Sequence, residues 1–239
     1  MLDTVLRRSR LSVVCCGLLA AALVGACSRV VSGAAQAGDP AERPIRPIPV
    51  ADLLIEPSRF PARYPAAVVP QKDVDRVMAE IDGVTAGSDV TPPECAPLPV
   101  LADQRAAAQG TDDETGARLT VTVIRPVPSV RARVAQLTEC PSFTSVADGE
   151  AGVVSEVTVE LRPPPPVDAD DSYAVDQTVT PQSGGAQNSR TLTLVALVGD
   201  VQVTGSWQQR GSSDDSPDTQ ALDTLFSDAV LKVRREIPR

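Results

Sequence analysis

The sequence contains no histidine and only two lysines, Lys72 and Lys232. Without imidazole there is no histidine general acid or base, no Ser–His or Cys–His nucleophile pair, and no histidine metal ligand. Aromatic residues are scarce as well: three phenylalanines, two tyrosines and one tryptophan. They leave little for a base-stacking platform, and a formal net charge of −9 opposes phosphate backbones, so nucleic acid is excluded as a partner. No G-x-S-x-G, P-loop or S-x-x-K pattern occurs, which removes three common signatures of hydrolysis and phosphate binding. No cofactor is implied.

What is present begins at the N-terminus. Arg7, Arg8 and Arg10 precede an uncharged run from Leu11 to Val24. A basic n-region before an apolar core of about 14 residues has the form of a signal peptide, and is too short for a spanning helix of about 20. The run ends in Leu23-Val24-Gly25-Ala26-Cys27, which resembles the bacterial lipobox. This predicts cleavage after residue 26 and diacylglyceryl modification of Cys27. Two or three acyl chains, at about 0.8 kcal/mol per buried CH₂, hold a protein on a membrane without spanning it.

Removing residues 1–26 takes away three arginines and one aspartate, so the formal charge of −9 becomes about −11. An acidic body is repelled by anionic head groups, and the lipid alone serves as anchor. Cys15 and Cys16 leave with the signal, and only Cys95 and Cys140 remain beside Cys27. Two cysteines in an exported body most simply form one disulfide, worth roughly 4 kcal/mol from its loop length in the chain-entropy model.

Ser28 to Pro49 is rich in Ala, Gly and Pro and reads as a disordered tether. Residues 27–49 thus link the lipid to one domain over 50–239. Val50 to Ile55 is a short apolar element, followed by a loop in which Pro57, Pro61, Pro65 and Pro70 forbid regular structure. Val74, Val77, Met78 and Ile81 fall at i, i+3, i+4 and i+7, a helix over 72–81 ended by Gly83. The alanines of 101–109 predict another helix.

Arg118 to Ile124 alternates with Leu119, Val121 and Val123 on one side, a strand with its other face solvated. A helix over 129–138 and strands at 142–146, 153–161, 173–180, 191–198 and 201–207 follow. Pro163 to Pro166 reads as a polyproline II connector, and Gly199-Asp200 as a two-residue hairpin turn. The last helix carries Ser216 as N-cap, Pro217 at N1 and a stripe of Leu222, Leu225, Phe226, Ala229, Val230 and Val233, with basic residues in its last turn. Short hairpin-linked strands between helices predict an α+β fold: a single domain with a twisted antiparallel sheet, flanking helices and a long C-terminal amphipathic helix.

The order of these elements, together with Asp52 to Ile55, Thr91 to Cys95, Leu137 to Phe143, Leu194 to Val203 and Leu222 to Val233, resembles mycobacterial exported lipoproteins with a sensor-type domain. It is similar to the extracellular domain of the PknH-like receptor kinases. The resemblance implies a solitary, lipid-anchored version without a kinase. It also implies two disulfides and a polar cleft between sheet and helix, whereas this chain has cysteines for one disulfide.

Residues that could carry a site are few. Phe60 and Tyr64 in the proline-rich loop and Trp207 at a strand end are candidate walls of a ligand cleft, against the plainer alternative of core packing. Arg59 and Arg63 face a similar choice between an anionic ligand and the protein's own carboxylates. Asp168-Ala169-Asp170-Asp171 lacks the glycine and glutamate of a calcium loop and reads as a solvated acidic turn. Asp112-Asp113-Glu114 and Asp214-Asp215 read as turns and helix entry points. The sequence therefore predicts a non-enzymatic protein on the extracytoplasmic face of the cell membrane. Its domain meets an unknown ligand or docks on another envelope protein. A hydrolase would need two facing carboxylates about 5–9 Å apart.

Overall fold

The computed structural model describes residues 48–98, 104–125, 129–147, 152–182, 187–211 and 216–237. The signal peptide, Cys27, all but the last two residues of the tether, and Asp214-Asp215 lie outside them. Four helices, α1 (Val50–Leu53), α2 (Gln71–Ile81), α3 (Val130–Glu139) and α4 (Thr219–Glu236), surround nine strands. The strands are β1 (Ala66–Val68), β2 (Asp89–Thr91), β3 (Arg105–Thr111), β4 (Arg118–Ile124), β5 (Ser142–Val146), β6 (Val154–Arg162), β7 (Asp171–Pro181), β8 (Ser189–Val198) and β9 (Val201–Arg210). They form one antiparallel sheet in the order β1-β3-β4-β9-β8-β7-β6-β5-β2. This is the α+β architecture expected from the alternation of the strands. No helix of the described residues is long and apolar enough to cross a membrane.

Alternation along the strands gives the sheet two chemically different faces. On one, Leu119, Val121, Val123, Val201, Val203, Leu194 and Ala196 pack beneath the α4 stripe and α1. All six apolar residues predicted for α4 are buried. Gly205 lets this helix approach, because a Cβ there would press on Phe226 at 3.2 Å. The opposite face holds a smaller apolar cluster around Cys95, Cys140, Leu137, Phe143 and Val157. In its centre it is polar and buried: Thr120, Thr122, Thr191, Thr193, Thr204, Ser206, Gln177 and Gln208 lie there.

That polar layer corrects the reading of 118–124. Thr122 faces not solvent but α2, Thr120 accepts from the Gln109 amide at 2.9 Å, and both are almost fully buried. The alanine-rich segment is a correction too: residues 105–111 form β3, with Ala107 and Ala108 wholly enclosed. Alanine has high helix propensity, but pairing with β4 along the whole strand outweighs it. The proline-rich loop contains a further strand, β1, which pairs only with β3 at the sheet edge, where flanking prolines cost no central ladder bonds. Helix α4 starts two residues later than predicted. Asp218, not Ser216, accepts from the Ala221 amide at 3.1 Å.

The other predicted helices and strands form. Ser129 caps α3, and Gly199-Asp200 joins β8 to β9 with Gly199 at φ +61°. Lys232 in the last turns of α4 donates to the Leu54 carbonyl at 2.7 Å and pairs with Glu56. The acidic turn is likewise engaged, since Asp170 accepts from the Gly199 amide at 2.6 Å and meets Arg234.

Candidate ligand cleft

Helix α2 ends at Ile81, and Gly83 (φ +73°) turns the chain away. Two glutamines from the polar layer hold this end. Gln208 donates to the Glu80 carbonyl at 3.2 Å and Gln177 to the Asp82 carbonyl at 2.7 Å. Terminal helix carbonyls have no intrahelical partner, so these amides complete the helix and fix it above the sheet.

Beside this end a cleft of about 580 Å³ opens between the Gly83-Val84-Thr85 turn and the sheet. Its floor comes from strands β5 to β9. Val179, Ser189 and Arg210 stand opposite one another across β7, β8 and β9, with Ser145, Ser155 and Pro181 alongside. The lining mixes hydroxyls and amides with Val84, Ala147, Val153 and Val179. Across the 83–88 turn lies a second hollow of about 240 Å³ near Asp75, Asp82, Ser88 and Arg105.

The carboxylate of the larger cleft, Glu80, is held from three sides. Arg76 and Arg118 each approach it at 2.9 Å, and Arg210 at 3.5 Å. Arg118 also donates to the Gln208 side-chain oxygen at 2.6 Å. Burial lowers the Arg118 pKa, Glu80 opposes this, and the neighbouring Arg210 and Arg76 charges lower it further.

Deeper under α2, Asp82 pairs with Arg133 of α3 at 2.9 Å. Burial raises the Asp82 pKa against the pull of Arg133. Tyr173, beside the same pair, is pushed up to about 12 by burial. Two small cavities of about 70 and 60 Å³ reach these groups and the buried Thr193 hydroxyl.

Phe60, Tyr64 and Trp207 are brought together, but in the core beneath α4 on the opposite face of the sheet, each nearly or fully buried. The Tyr64 hydroxyl donates to Asp218 at 3.1 Å. Arg59 pairs with Asp228 and Arg63 with Asp112, each at 2.6 Å. Both arginines thus take the protein's own carboxylates. Cys95 and Cys140 are joined, with a Cα–Cα distance of 5.7 Å, tying the Pro93–Cys95 turn to the end of α3.

Sequence reasoning missed Glu80, Gln208 and Arg210. Arg76 and Glu80 stand at i, i+4, the spacing of an ordinary surface pair on a helix. Only the sheet register brings Arg118 and Arg210 to the same carboxylate.

No protein-family model matches the chain, and no curated protein matches it. Among solved structures it is similar to an uncharacterised protein of Mycobacterium smegmatis, the Rv0999 ortholog. The identity is 16% and the TM-score 0.42, over 74% of this chain and 92% of that one. It is also similar to the extracellular domain of PknH from Mycobacterium tuberculosis, with 11% identity and a TM-score of 0.40, over 74% and 97%. The resemblance read from the sequence is therefore present among the similar structures.

Proposed function

We propose that this chain is a non-enzymatic envelope lipoprotein, held on the outer face of the cell membrane by acylated Cys27, whose domain binds a ligand in the cleft beside α2. The cleft itself carries the reading. Its volume of about 580 Å³ lies within the range of about 300–1,000 Å³ found for small-molecule sites. Its floor is built on paired strands, which keep their geometry better than loops. Among the described residues Glu80 is the one carboxylate lining it, so the described lining supplies one half of the facing pair that carboxylate hydrolysis needs.

Two measurements test the proposal. Metabolic labelling with palmitate should mark the wild-type protein and not Cys27→Ala; equal labelling of both defeats the anchor. Native mass spectrometry of membrane-extracted protein should reveal a small bound molecule that is lost from Val179→Trp, which fills the cleft. A stoichiometric protein partner captured by crosslinking in intact cells, with no small molecule bound, would favour an accessory subunit instead.

A further inference from the structure

We infer that the cleft takes an amphipathic anion, with a carboxylate or phosphate head group at Arg210 and an apolar body over Val179 and Pro181. This assignment rests on the cleft being the binding site.

The first argument is charge balance. Three guanidinium groups, from Arg76, Arg118 and Arg210, share the one carboxylate of Glu80. In every other ion-pair cluster of the described residues, the carboxylates are at least as many as the cations. Arg59, Arg105, Arg125, Arg131, Arg133 and Lys232 each have one. Arg63 and Arg234 each have two, and Arg162 with Arg190 share Glu160 and Asp176. Among the described residues, a chain of net charge −9 thus keeps a local surplus of two positive charges beside this cleft. Surplus cations in a half-enclosed site attract and orient anions.

The second argument is geometry. Arg76 and Arg118 bond Glu80 at 2.9 Å, inside the usual range of about 2.7–3.2 Å. Arg210 stands at 3.5 Å, outside that range, and its side chain is 57% exposed. Its planar donors therefore remain open to a second acceptor, and a guanidinium matches carboxylate or phosphate with two parallel bonds.

The third is the floor. Arg210, Ser189 and Val179 are cross-strand neighbours, so the surface passes from cationic through hydroxyl to apolar in two strand spacings, about 10 Å. Pro181 and Val153 continue the apolar end. A head group on a chain of about six carbons spans this gradient.

The test is calorimetric titration of the mature lipidated protein in neutral nanodiscs, blanked against empty discs. The probes are hexanoate, hexyl phosphate, 1-hexanol and inorganic phosphate. We expect at least one hexyl anion to bind tenfold or more tightly than hexanol, and more tightly than inorganic phosphate. The difference between the two hexyl anions tells which head group the site prefers. Arg210→Gln, at an exposed position, should weaken the anion at least tenfold and leave hexanol unchanged. Glu80→Gln should tighten it by removing the resident carboxylate.

Equal binding of hexanol and the anions, or indifference to Arg210→Gln, overturns the assignment. So does binding of no hexyl probe, or inorganic phosphate matching hexyl phosphate. A neutral molecule found in the cleft by native mass spectrometry sinks the anion and leaves the cleft standing. Absence of any bound molecule sinks both.

Discussion

The side-chain amide of Gln177 donates to the main-chain carbonyl of Asp82 at 2.7 Å, so a central strand of the sheet caps the helix that walls the cleft. The contact is close enough to dictate its neighbour. A Cβ on Gly83 would collide with the same amide nitrogen, and Gly83 has φ +73°, where side chains are strained. Gln177→Ala should therefore cost about 1–3 kcal/mol, the penalty of leaving the part-buried Asp82 carbonyl without its partner. Gly83→Ala should cost at least about 1 kcal/mol from backbone strain alone. Urea denaturation of both variants and of Gly83→Ala/Gln177→Ala checks this. The double variant should be less destabilised than the sum, because truncating Gln177 relieves the collision.

The disulfide offers a second prediction. Cys95 and Cys140 are both buried in the smaller cluster on the α2–α3 face, and they are separated by 45 residues. Replacing both with alanine should lower stability by about 2–4 kcal/mol. Trp207 lies in the other cluster, under α4. Its near-ultraviolet circular dichroism in the folded variant should therefore match wild type, while the denaturation midpoint falls.

A third prediction separates the two sides of α4. Phe226 is fully buried against Gly205, and Phe226→Ala should cost about 3–5 kcal/mol. Leu231, on the same helix, is 43% exposed, and Leu231→Ala should stay within about 1 kcal/mol. Thermal melts of the two variants give the contrast directly. Similar losses in both would mean that the outward face of α4 is covered in the intact protein.

Legibility in the sequence followed the range of the interactions. The α4 stripe and the Gly199-Asp200 hairpin were readable because their signals are local: apolar spacing, and a turn dipeptide between alternating strands. Where a residue's role depends on partners distant in the chain, the sequence was silent or misleading. Ala106 to Ala108 carry helix propensity, yet their place is fixed by β4 and by the helices above. Thr120 and Thr122 read as solvated because polar residues on an alternating strand usually are. Here the glutamines and threonines of β7, β8 and β9 supply a buried polar layer, and α2 closes over it. The disulfide followed from counting cysteines, whereas the convergence of Arg118 and Arg210 on Glu80 had no local sign at all. Phe60 and Tyr64 stand in a proline-rich loop and Trp207 at a strand end, and such positions do not distinguish a core from a cleft.

The two tyrosines give the pH prediction. Burial pushes the Tyr173 phenol up to about 12, and the nearby Asp82 charge adds to this while Arg133 opposes it. Tyr64 is also raised, by burial first and then by Asp218. A folded-state pKa above the unfolded value of 10.0 means that the fold favours the neutral phenol. The resulting stability is fully present below pH 10 and is lost as the pH climbs through about 12. The loss is about 1.4 kcal/mol for each tenfold difference in proton affinity between the folded and unfolded chain. Since these are the only tyrosines in the chain, phenolate absorbance reports on them alone. In the folded protein it should stay well below half of its full value at pH 10, where an exposed tyrosine is half ionised, and then rise steeply as the protein unfolds. Tyr173→Phe should flatten the fall in stability between pH 10 and 12. Half-ionisation of both phenols at pH 10 with the fold intact would mean that water reaches them as freely in the folded protein as in the unfolded chain.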